Sequence, residues 1–358
     1  MGVDDYRMGE KLGKGAFSTV YKVERKANST SYACKRIDIS KMAKNEISDA
    51  VNEIRILSSI RHPYIVGFFD SFLAKSDREL WIVMEMCSCG DLAAKVERYR
   101  KKRKYMDERV VWTHLIQMAE GLLCLHEANI VHRDLKAANI FLDENGSVKI
   151  GDLNVSKRMK GGHLLKTQIG TPYYMSPEVW LSKPYGMSSD IWALGCLVYE
   201  LCALRPPFVG NTFPQLKQAV LCGKYPALPR AFSYEMTAII ARMVRINARE
   251  RPSTRQLLDC TEVKERRAAD WYKEPVAYKH APPQSKQDLM DTIVVPHHLS
   301  QLEAALPKAC FPDFRPNSPE AWPLGPERDA AMERKANGAQ GAPANPRPVR
   351  TAGVEKCV

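Results

Sequence analysis

Residues 130–142, IVHRDLKAANIFL, decide the fold of this chain. Apolar residues stand at both ends and polar residues lie between them, which predicts a strand, a polar loop and a second strand. Residues 108–127 carry apolar side chains at helical spacing and predict a helix before this loop. After the loop, Asp152 follows a further short strand at 148–150. We therefore expect two acids, Asp134 and Asp152, and one amide side chain to converge on loops.

The N-terminal segment predicts strands around a glycine loop. Residues 6–12 lead into GKGAFSTV at 13–20, and strand-forming residues continue to position 37. A Rossmann or P-loop site needs a helix directly after its glycines, and no helical pattern follows here, which disfavours both. Gly13 and Gly15 instead allow a hairpin backbone to approach phosphates, because no Cβ stands in the way. Taken alone, the glycine pattern favours a tight hairpin that binds no ligand over a hairpin that binds phosphates.

A helix carrying an acidic residue is predicted next. Residues 45–60 have an apolar stripe at helical spacing, with Glu53 beside it. The preceding strand supplies Lys35, and a lysine–glutamate pair between strand and helix would aim the ammonium group at phosphates. Glu46 is the alternative partner of that lysine. The stripe consists of Ile47, Val51, Ile54 and Leu57.

Composition places the chain among ordinary globular proteins. It has 358 residues, 45% of them apolar and 26% charged. No stretch approaches the ~20 uninterrupted apolar residues of a membrane-spanning helix. Its ten cysteines include no C-x-x-C pair, which disfavours a zinc ribbon or thioredoxin-type site and indicates a reducing compartment.

Charge and proline divide the chain into two parts. The net charge is +12, and residues 261–358 contain 14 basic residues against 13 acidic ones, so the excess lies on residues 1–260. Thirteen of the 23 prolines also lie after residue 260, which predicts a globular body followed by a flexible tail. The basic body can attract nucleic acid, anionic lipid, phosphate compounds or an acidic polymer, and a merely solvated basic face is an equal alternative.

Together these segments resemble the eukaryotic protein kinases over about residues 6–258. The resemblance implies an α+β protein kinase fold with a β-rich lobe at about 6–86 and a larger helical lobe at about 87–258. Residues 259–358 would then be a proline-rich, largely flexible tail. Beyond the glycine loop, the resemblance is carried by YACK at 32–35, HRDLKAAN at 132–139, Asp152, GTPYYMSPE at 170–178, DIWALG at 190–195 and RP at 251–252.

The resemblance implies transfer of the γ-phosphoryl group of ATP to a protein hydroxyl. The strand lysine, held by the helix glutamate, would bind the α- and β-phosphates, and the loop aspartate would orient the substrate hydroxyl. Mg²⁺ prefers oxygen ligands, which the amide and the second aspartate would supply. The implied catalytic residues are Lys35, Glu53, Asp134 and Lys136, and the implied metal ligands are Asn139 and Asp152.

The nucleotide would lie between the two lobes. Its adenine would pack between apolar residues of the N-terminal strands and Phe141, with hydrogen bonds to a hinge that follows the gatekeeper Met84. Asp91 would reach the ribose. The implied nucleotide-binding residues are Leu12, Gly13, Gly15, Val20, Ala33, Lys35, Glu85, Cys87, Asp91 and Phe141.

Two further interactions are implied to support the larger lobe. Asp190 would hydrogen-bond the backbone of the catalytic loop, and Glu178 would form a buried ion pair with Arg251. Of the acids that bind basic substrates in similar kinases, Asp91 and Glu200 remain, but one has become alanine. A strongly arginine-directed specificity is therefore not expected.

The segment that follows Asp152 implies regulation. Asn154 replaces the usual glycine, and we expect an active enzyme in which this segment is stiffer. Thr167 is the predicted acceptor of an activating phosphate, with Thr171 as a second regulatory position. The presence of Lys136 and Thr171 at their motif positions is also typical of serine/threonine kinases and not of tyrosine kinases.

Several segments narrow the resemblance to the NIMA-related kinases, including some protist and plant members. The implied substrates are proteins with serine or threonine, in a cell-cycle, microtubule, ciliary or flagellar setting. The tail would bind microtubule, centrosome or basal-body proteins, and the location would be cytoplasmic, cytoskeletal, basal-body or flagellar. No membrane or nucleic-acid partner is expected. These segments are CSCGDL at 87–92, AANIFL at 137–142, KTQIGTPYYMSPE at 166–178 and tail motifs within 291–313.

Three alternatives remain open from the sequence. A short amphipathic helix near 299–306 would either dock a partner or pack back on the body. A pseudokinase scaffold would keep the fold without phosphoryl transfer. A tail-mediated microtubule or cytoskeletal adaptor would make kinase activity incidental.

Overall fold

The computed structural model describes most of the first 273 residues, all within the unit that ends at Pro316. Inside the first helix, the side chains of residues 44–46, 48, 49, 52, 53 and 56 are not described. The described residues are 2–15, 18–40, 42–74, 79–152, 172–273 and 306–307.

The N-terminal lobe is one antiparallel sheet and one helix. Its elements are β1 (Tyr6–Lys14), β2 (Ser18–Arg25), β3 (Thr30–Asp38), α1 (Lys44–Ser59), β4 (Phe68–Leu73) and β5 (Glu79–Met84). The five strands lie in the order β1-β2-β3-β5-β4. The predicted apolar stripe of α1 is confirmed, because Val51, Ile54 and Leu57 are buried.

Side chains alternate along each strand, so the sheet contributes to two separate apolar clusters. On β5, Leu80 and Ile82 join the main core together with α1. Trp81, between them, points to the other face and joins an aromatic cluster there. Tyr6 belongs to that cluster, and its hydroxyl donates a hydrogen bond of 3.0 Å to the buried Asp70. The N-terminal strand is thereby attached to β4.

The C-terminal lobe is helical. Its elements are α2 (Leu92–Lys102), α3 (Glu108–Glu127), β6 (Ile140–Leu142), β7 (Val148–Ile150), α4 (Pro177–Trp180), α5 (Met187–Ala203), α6 (Phe213–Cys222), α7 (Tyr234–Met243), α8 (Thr254–Leu258) and α9 (Thr261–Arg267). Helices α3 and α5 pack against each other and are buried on most sides, as their apolar sequences predict. The β6–β7 hairpin carries the chain from the catalytic loop to Asp152.

Folded structure continues past residue 258, where the sequence places the start of the tail. Helix α9 packs on α3 and α8 and buries Val263. Removal of this side chain from water stabilises the extension, a contribution that proline content does not reveal. Of the predicted helix near 299–306, only Leu306 is described, and it is partly buried against the main core.

Two expectations from composition can be compared with the described residues. No helix among them has both the length and the apolar character needed to cross a bilayer. The cysteines among them are all free thiols.

Candidate active site

Strand register brings the predicted cleft residues of the N-terminal lobe together. Val20 on β2 lies opposite Lys35 on β3, and Ala33 on β3 lies opposite Met84 on β5. Lys35 and Ala33 are two residues apart and therefore share one face of the sheet. The structure thus places the lysine predicted to bind phosphate and the residues predicted to contact adenine on the same surface.

The glycine segment is a tight hairpin above that surface. Gly13 lies opposite Val20, and the backbone N–H of Gly15 donates to the carbonyl of Ser18 at 2.7 Å. A Cβ on Gly15 would lie 2.9 Å from the Ser18 hydroxyl, which is closer than real contacts of this kind. Leu12, which enters the hairpin, is 43% exposed and available to cover a ligand. The hairpin tip, residues 16–17, lies outside the described residues.

The predicted catalytic-loop residues contact one another. Lys136 Nζ donates to Asp134 Oδ2 at 2.8 Å. Asn139 Nδ2 donates to the Asp134 carbonyl at 2.8 Å and to its Oδ2 at 3.1 Å. Because these bonds commit the amide nitrogen of Asn139, its amide oxygen is directed elsewhere. That oxygen is the atom a metal ion would require.

Asp152 is held close to both lobes. Its Oδ1 accepts a hydrogen bond from Lys35 Nζ at 3.1 Å, and the backbone N–H of Gly151 donates to the Asn139 carbonyl at 3.0 Å. Asp152 has a φ of 48°, in a left-handed region that aspartate adopts more readily than most residues. The Lys35 ammonium lowers the pKa of the Asp152 carboxyl and outweighs the opposing effect of burial. The carboxylate is therefore charged at neutral pH.

This donor set fits Mg²⁺. A carboxylate oxygen of Asp152 and the amide oxygen of Asn139 are hard ligands, and their backbones are tied together through Gly151. Magnesium commonly takes one or two protein ligands and completes its coordination with phosphate oxygens and water.

Asp190 orients the catalytic loop from below, as predicted. The carboxylate is fully buried and accepts backbone hydrogen bonds from His132 at 2.9 Å and Arg133 at 3.1 Å. Tyr185 and His126 contact the same carboxylate, each at 2.9 Å. These contacts hold Arg133 at a φ of 70°, an uncommon value for a residue other than glycine.

The hinge is anchored by an ion pair that the sequence reading missed. Glu85 Oε1 lies 2.6 Å from Lys149 Nζ, and its Oε2 accepts a hydrogen bond of 3.0 Å from the Gly67 N–H. The Lys149 side chain is only 6% exposed. Burial lowers the pKa of the nearby His62 to about 4, and the Lys149 charge adds to this effect. The available sequence signal was a lysine between two apolar residues of a short buried strand.

The hinge backbone offers hydrogen-bonding groups to a ligand. Within the described residues, neither the Glu85 carbonyl nor the backbone N–H and C=O of Cys87 bonds to another protein group. Phe141 forms an isolated β-bridge with Asp91, and a Cβ on Gly151 would come within 2.6 Å of its ring. Asp91, the predicted ribose contact, caps α2, since its Oδ1 accepts from Ala94 N–H at 2.7 Å. One of its two oxygens is thus committed to the helix.

Some predicted positions lie outside the described residues. Asn154, Thr167 and Thr171 fall within 153–171, and the Glu53 side chain in α1 is not described either. Their assigned roles stay predictions.

The fold and the cleft define a two-lobed protein kinase. Residues 6–261 match the family model described as protein kinase domain, and the chain belongs to this family. The match spans well over half of the 358 residues. The predicted kinase fold is thereby confirmed.

Comparison with curated proteins places the chain within one branch of that family. It is 36% identical over 277 residues to the probable serine/threonine-protein kinase nek2 of Dictyostelium discoideum, covering 75% of this chain and 66% of the relative. It is 37% identical over 282 residues to the G2-specific protein kinase nim-1 of Neurospora crassa, covering 72% and 33%. It is 36% identical over 262 residues to the serine/threonine-protein kinase Nek2 of Homo sapiens, covering 72% and 59%.

These relatives confirm the predicted resemblance to the NIMA-related serine/threonine kinases. The chain spans between one third and two thirds of their lengths.

Proposed function

We propose that this chain is a protein serine/threonine kinase that uses ATP and Mg²⁺. The observation that carries the proposal is a continuous polar network across the cleft. Lys35 contacts Asp152, the neighbouring Gly151 is bonded to Asn139, and Asn139 is bonded to Asp134. Phosphoryl transfer depends mainly on such prearranged charges, because little covalent chemistry is left to the protein.

Each group in this network has a defined task in the reaction. Asp134 accepts the hydrogen of the substrate hydroxyl, whose oxygen bonds to the γ-phosphorus as the bond to the departing ADP oxygen breaks. Lys136, already 2.8 Å from that carboxylate, lies where it can stabilise negative charge on the transferred group. Lys35 binds phosphate oxygens in place of its present contact with Asp152. When bound by Asn139 and Asp152, Mg²⁺ supplies the positive charge that neutralises the phosphates.

The structure also supports the expected substrate preference. Glu200 is buried and accepts a hydrogen bond from the Tyr174 hydroxyl, so it is not presented to a substrate. One oxygen of Asp91 is committed to the α2 cap. Of the two acids that could bind a basic substrate, Glu200 is therefore fully and Asp91 partly engaged within the protein. We propose targets with non-polar residues upstream of the phosphorylated serine or threonine.

We also propose a cell-cycle setting. The support is the name of the Neurospora relative, which is described as G2-specific. The predicted microtubule, centrosome and basal-body partners of the tail, together with a cytoplasmic, cytoskeletal or flagellar location, rest on the NIMA-related resemblance. Co-sedimentation of the full chain with microtubules tests this part separately from catalysis.

Catalysis is tested by phosphate transfer from labelled ATP to a serine/threonine peptide library, using the full chain preincubated with Mg²⁺ and ATP. Asp134→Asn and Lys35→Met should each lower the rate about 100-fold or more, because each removes a group that acts in the transition state. Asp270→Asn and Lys26→Met are matched controls on exposed positions and should leave the rate unchanged.

Two results would contradict the proposal. A wild-type protein that binds nucleotide but transfers no phosphate would be a pseudokinase scaffold. Equal transfer by wild type and Asp134→Asn would show that a contaminating kinase or another site performs the reaction.

A further inference from the structure

The C-terminal end of α2 carries an unusually dense group of cations. Six of the seven residues 98–104 are lysine or arginine. Arg100 is engaged, since it contacts Glu97 at 2.7 Å and the Leu204 carbonyl at 2.7 Å. Residues 101–104 are all exposed, and within the described part of the chain their side chains form no ion pair or hydrogen bond. Four positive charges therefore project into solvent at one helix end.

A cavity of about 350 Å³ lies between the start of α3, six residues after the end of α2, and the residues around α9. It is open to solvent and large enough to receive one or two large side chains. Arg266 stacks over the Trp112 ring, with the guanidinium carbon 4.7 Å from the ring centre. The cavity lining includes Glu108, Arg109, Trp112, Glu265, Arg266 and Trp271.

The carboxylates of the cavity wall are already bonded within the protein. Glu108 accepts from the Trp112 indole N–H at 3.0 Å and from the Ser233 backbone N–H at 2.8 Å. Glu265 contacts Arg266 at 3.3 Å. Arg109 is exposed, and its guanidinium has no partner among the described residues. The wall thus presents the partly exposed Trp271 ring and an available cation, while Trp112 is buried beneath Arg266.

The two features lie close to each other along the chain. Lys104 and Arg109 are five residues apart, so their Cα atoms lie at most about 18 Å from each other. We call residues 101–104 and the cavity together the basic–aromatic surface. It is remote from the catalytic cleft, because the eleven residues of α2 separate it from the hinge by about 16 Å along the helix axis.

We propose that the basic–aromatic surface binds an acidic segment of a partner polypeptide, with an aromatic side chain of that segment seated in the cavity. Carboxylates match the four solvated cations and Arg109 in charge, and arginine binds carboxylates through paired hydrogen bonds. Tryptophan and arginine are also the residues that most often dominate binding at protein interfaces. The surface would recruit a substrate or regulator to the kinase without touching the reacting groups.

Other anionic partners fit this surface less well. The carboxylates of Glu108 and Glu265 repel any anion at the cavity itself, so the acidic residues of the partner would face residues 101–104 and its uncharged aromatic side chain would enter the cavity. A nucleic acid carries phosphates along its whole length and cannot keep its charge away from these carboxylates. A lipid surface calls for apolar side chains that can enter the membrane interface. Of the described residues 92–112, only Tyr105 is a large apolar side chain exposed to solvent.

The test measures binding by fluorescence anisotropy on the full chain. The probe is a short fluorescein-labelled peptide of glutamate and aspartate around a single phenylalanine. Combined Lys101→Glu, Lys102→Glu, Arg103→Glu and Lys104→Glu should weaken binding about tenfold or more, because each lost charge pair contributes a modest amount. The matched control reverses four exposed cations elsewhere and should bind as wild type does. Its substitutions are Lys26→Glu, Lys183→Glu, Lys224→Glu and Arg249→Glu.

The cavity is tested by a second pair of measurements. Arg109→Ala, at an exposed position, should weaken binding about threefold, as should a probe in which alanine replaces phenylalanine. The two fourfold charge-reversal variants should both retain wild-type peptide phosphorylation and wild-type stability in urea, since neither changes a residue of the cleft or the core. If the two fourfold charge reversals weakened binding of the probe equally, the proposal would be overturned, because the change in affinity would then come from the net charge of the protein and not from this surface. Unchanged affinity for the alanine probe would overturn the role of the cavity.

Other occupants are distinguished by competition with the labelled peptide. A single-stranded RNA, or vesicles of phosphatidylcholine and phosphatidylserine, that bound more tightly than the probe through residues 101–104 would refute a polypeptide partner. Displacement of the probe by a peptide of this chain's own residues 274–305 at a lower concentration than unlabelled probe would also refute it. That result would assign the surface to the tail of the same molecule.

Discussion

Replacement of Arg251 by methionine should destabilise the C-terminal lobe severely. The arginine side chain has no solvent exposure, and its two terminal nitrogens each donate to Glu178 at 2.8 Å. Its guanidinium carbon lies 5.0 Å from the Trp192 ring centre. Methionine retains much of the apolar stem but none of the donors. The same guanidinium also donates to the carbonyls of Ser188, Arg245 and Ile246.

The magnitude follows from what the substitution leaves behind. Removal of one partner from a buried ion pair costs about 3 to 5 kcal/mol, because the other charge stays buried. Glu178 keeps one hydrogen bond, from the Ser189 hydroxyl at 2.6 Å, which moderates the loss. We therefore expect the free energy of unfolding to fall by about 4 kcal/mol, equivalent to roughly 10 °C in Tm for a body of this size.

The pH dependence of this pair provides a second measurement. Burial alone would raise the pKa of Glu178, but hydrogen bonds from Arg251 and Ser189 and the guanidinium charge lower it to about 2. A lowered carboxyl pKa adds stability that is complete above its unfolded value of about 4.5 and is lost as the pH falls toward 2. The stability advantage of wild type over Glu178→Gln should therefore shrink below about pH 4.5.

Urea denaturation of the full chain, followed by tryptophan fluorescence, is the assay. The double variant Glu178→Leu with Arg251→Met removes both charges and should be more stable than the sum of the two single losses predicts. A loss of less than about 1 kcal/mol for Arg251→Met at neutral pH would refute the reasoning, since that is the value of a solvent-exposed pair. Strict additivity in the double variant would also contradict it.

Three further predictions concern the cleft and the thiols. Lys149→Met should raise the KM for ATP more than it lowers kcat, because Lys149 holds the hinge through Glu85 and contacts no reacting group. Equal changes of both constants in steady-state kinetics would argue against this role. Asp190→Asn should lower kcat about tenfold or more while leaving nucleotide affinity nearly unchanged, as measured by kinetics and calorimetry, since it weakens the bonds that orient the catalytic loop. Among the described cysteines, the exposed Cys222 should react first with a maleimide in peptide mapping, whereas Cys34 should react slowly because burial raises its pKa to about 12.

Short-range pattern was sufficient to predict several elements and the loop expected to carry the chemistry. The spacing of apolar residues predicted a helix at 108–127, and this helix has the same bounds in the structure. The polar residues between two short apolar runs predicted the catalytic loop, because such side chains must remain at a surface between buried strands. The ion pair of Glu178 and Arg251 was also predicted, through the resemblance to kinases, and is confirmed at 2.8 Å.

Only the tertiary structure decided the contacts between residues that are distant in sequence. Lys149 is separated from Glu85 by 64 positions, and no local pattern shows that a strand lysine will meet the hinge glutamate. Likewise, the cavity exists because α9 and the residues that follow it bring Arg266 and Trp271 to the start of α3. Periodicity predicts which face of an element is buried, because the apolar side chains that share this face recur at a regular spacing along the sequence. Which charge meets which depends on how the elements cross in space, and that is a property of the packed molecule.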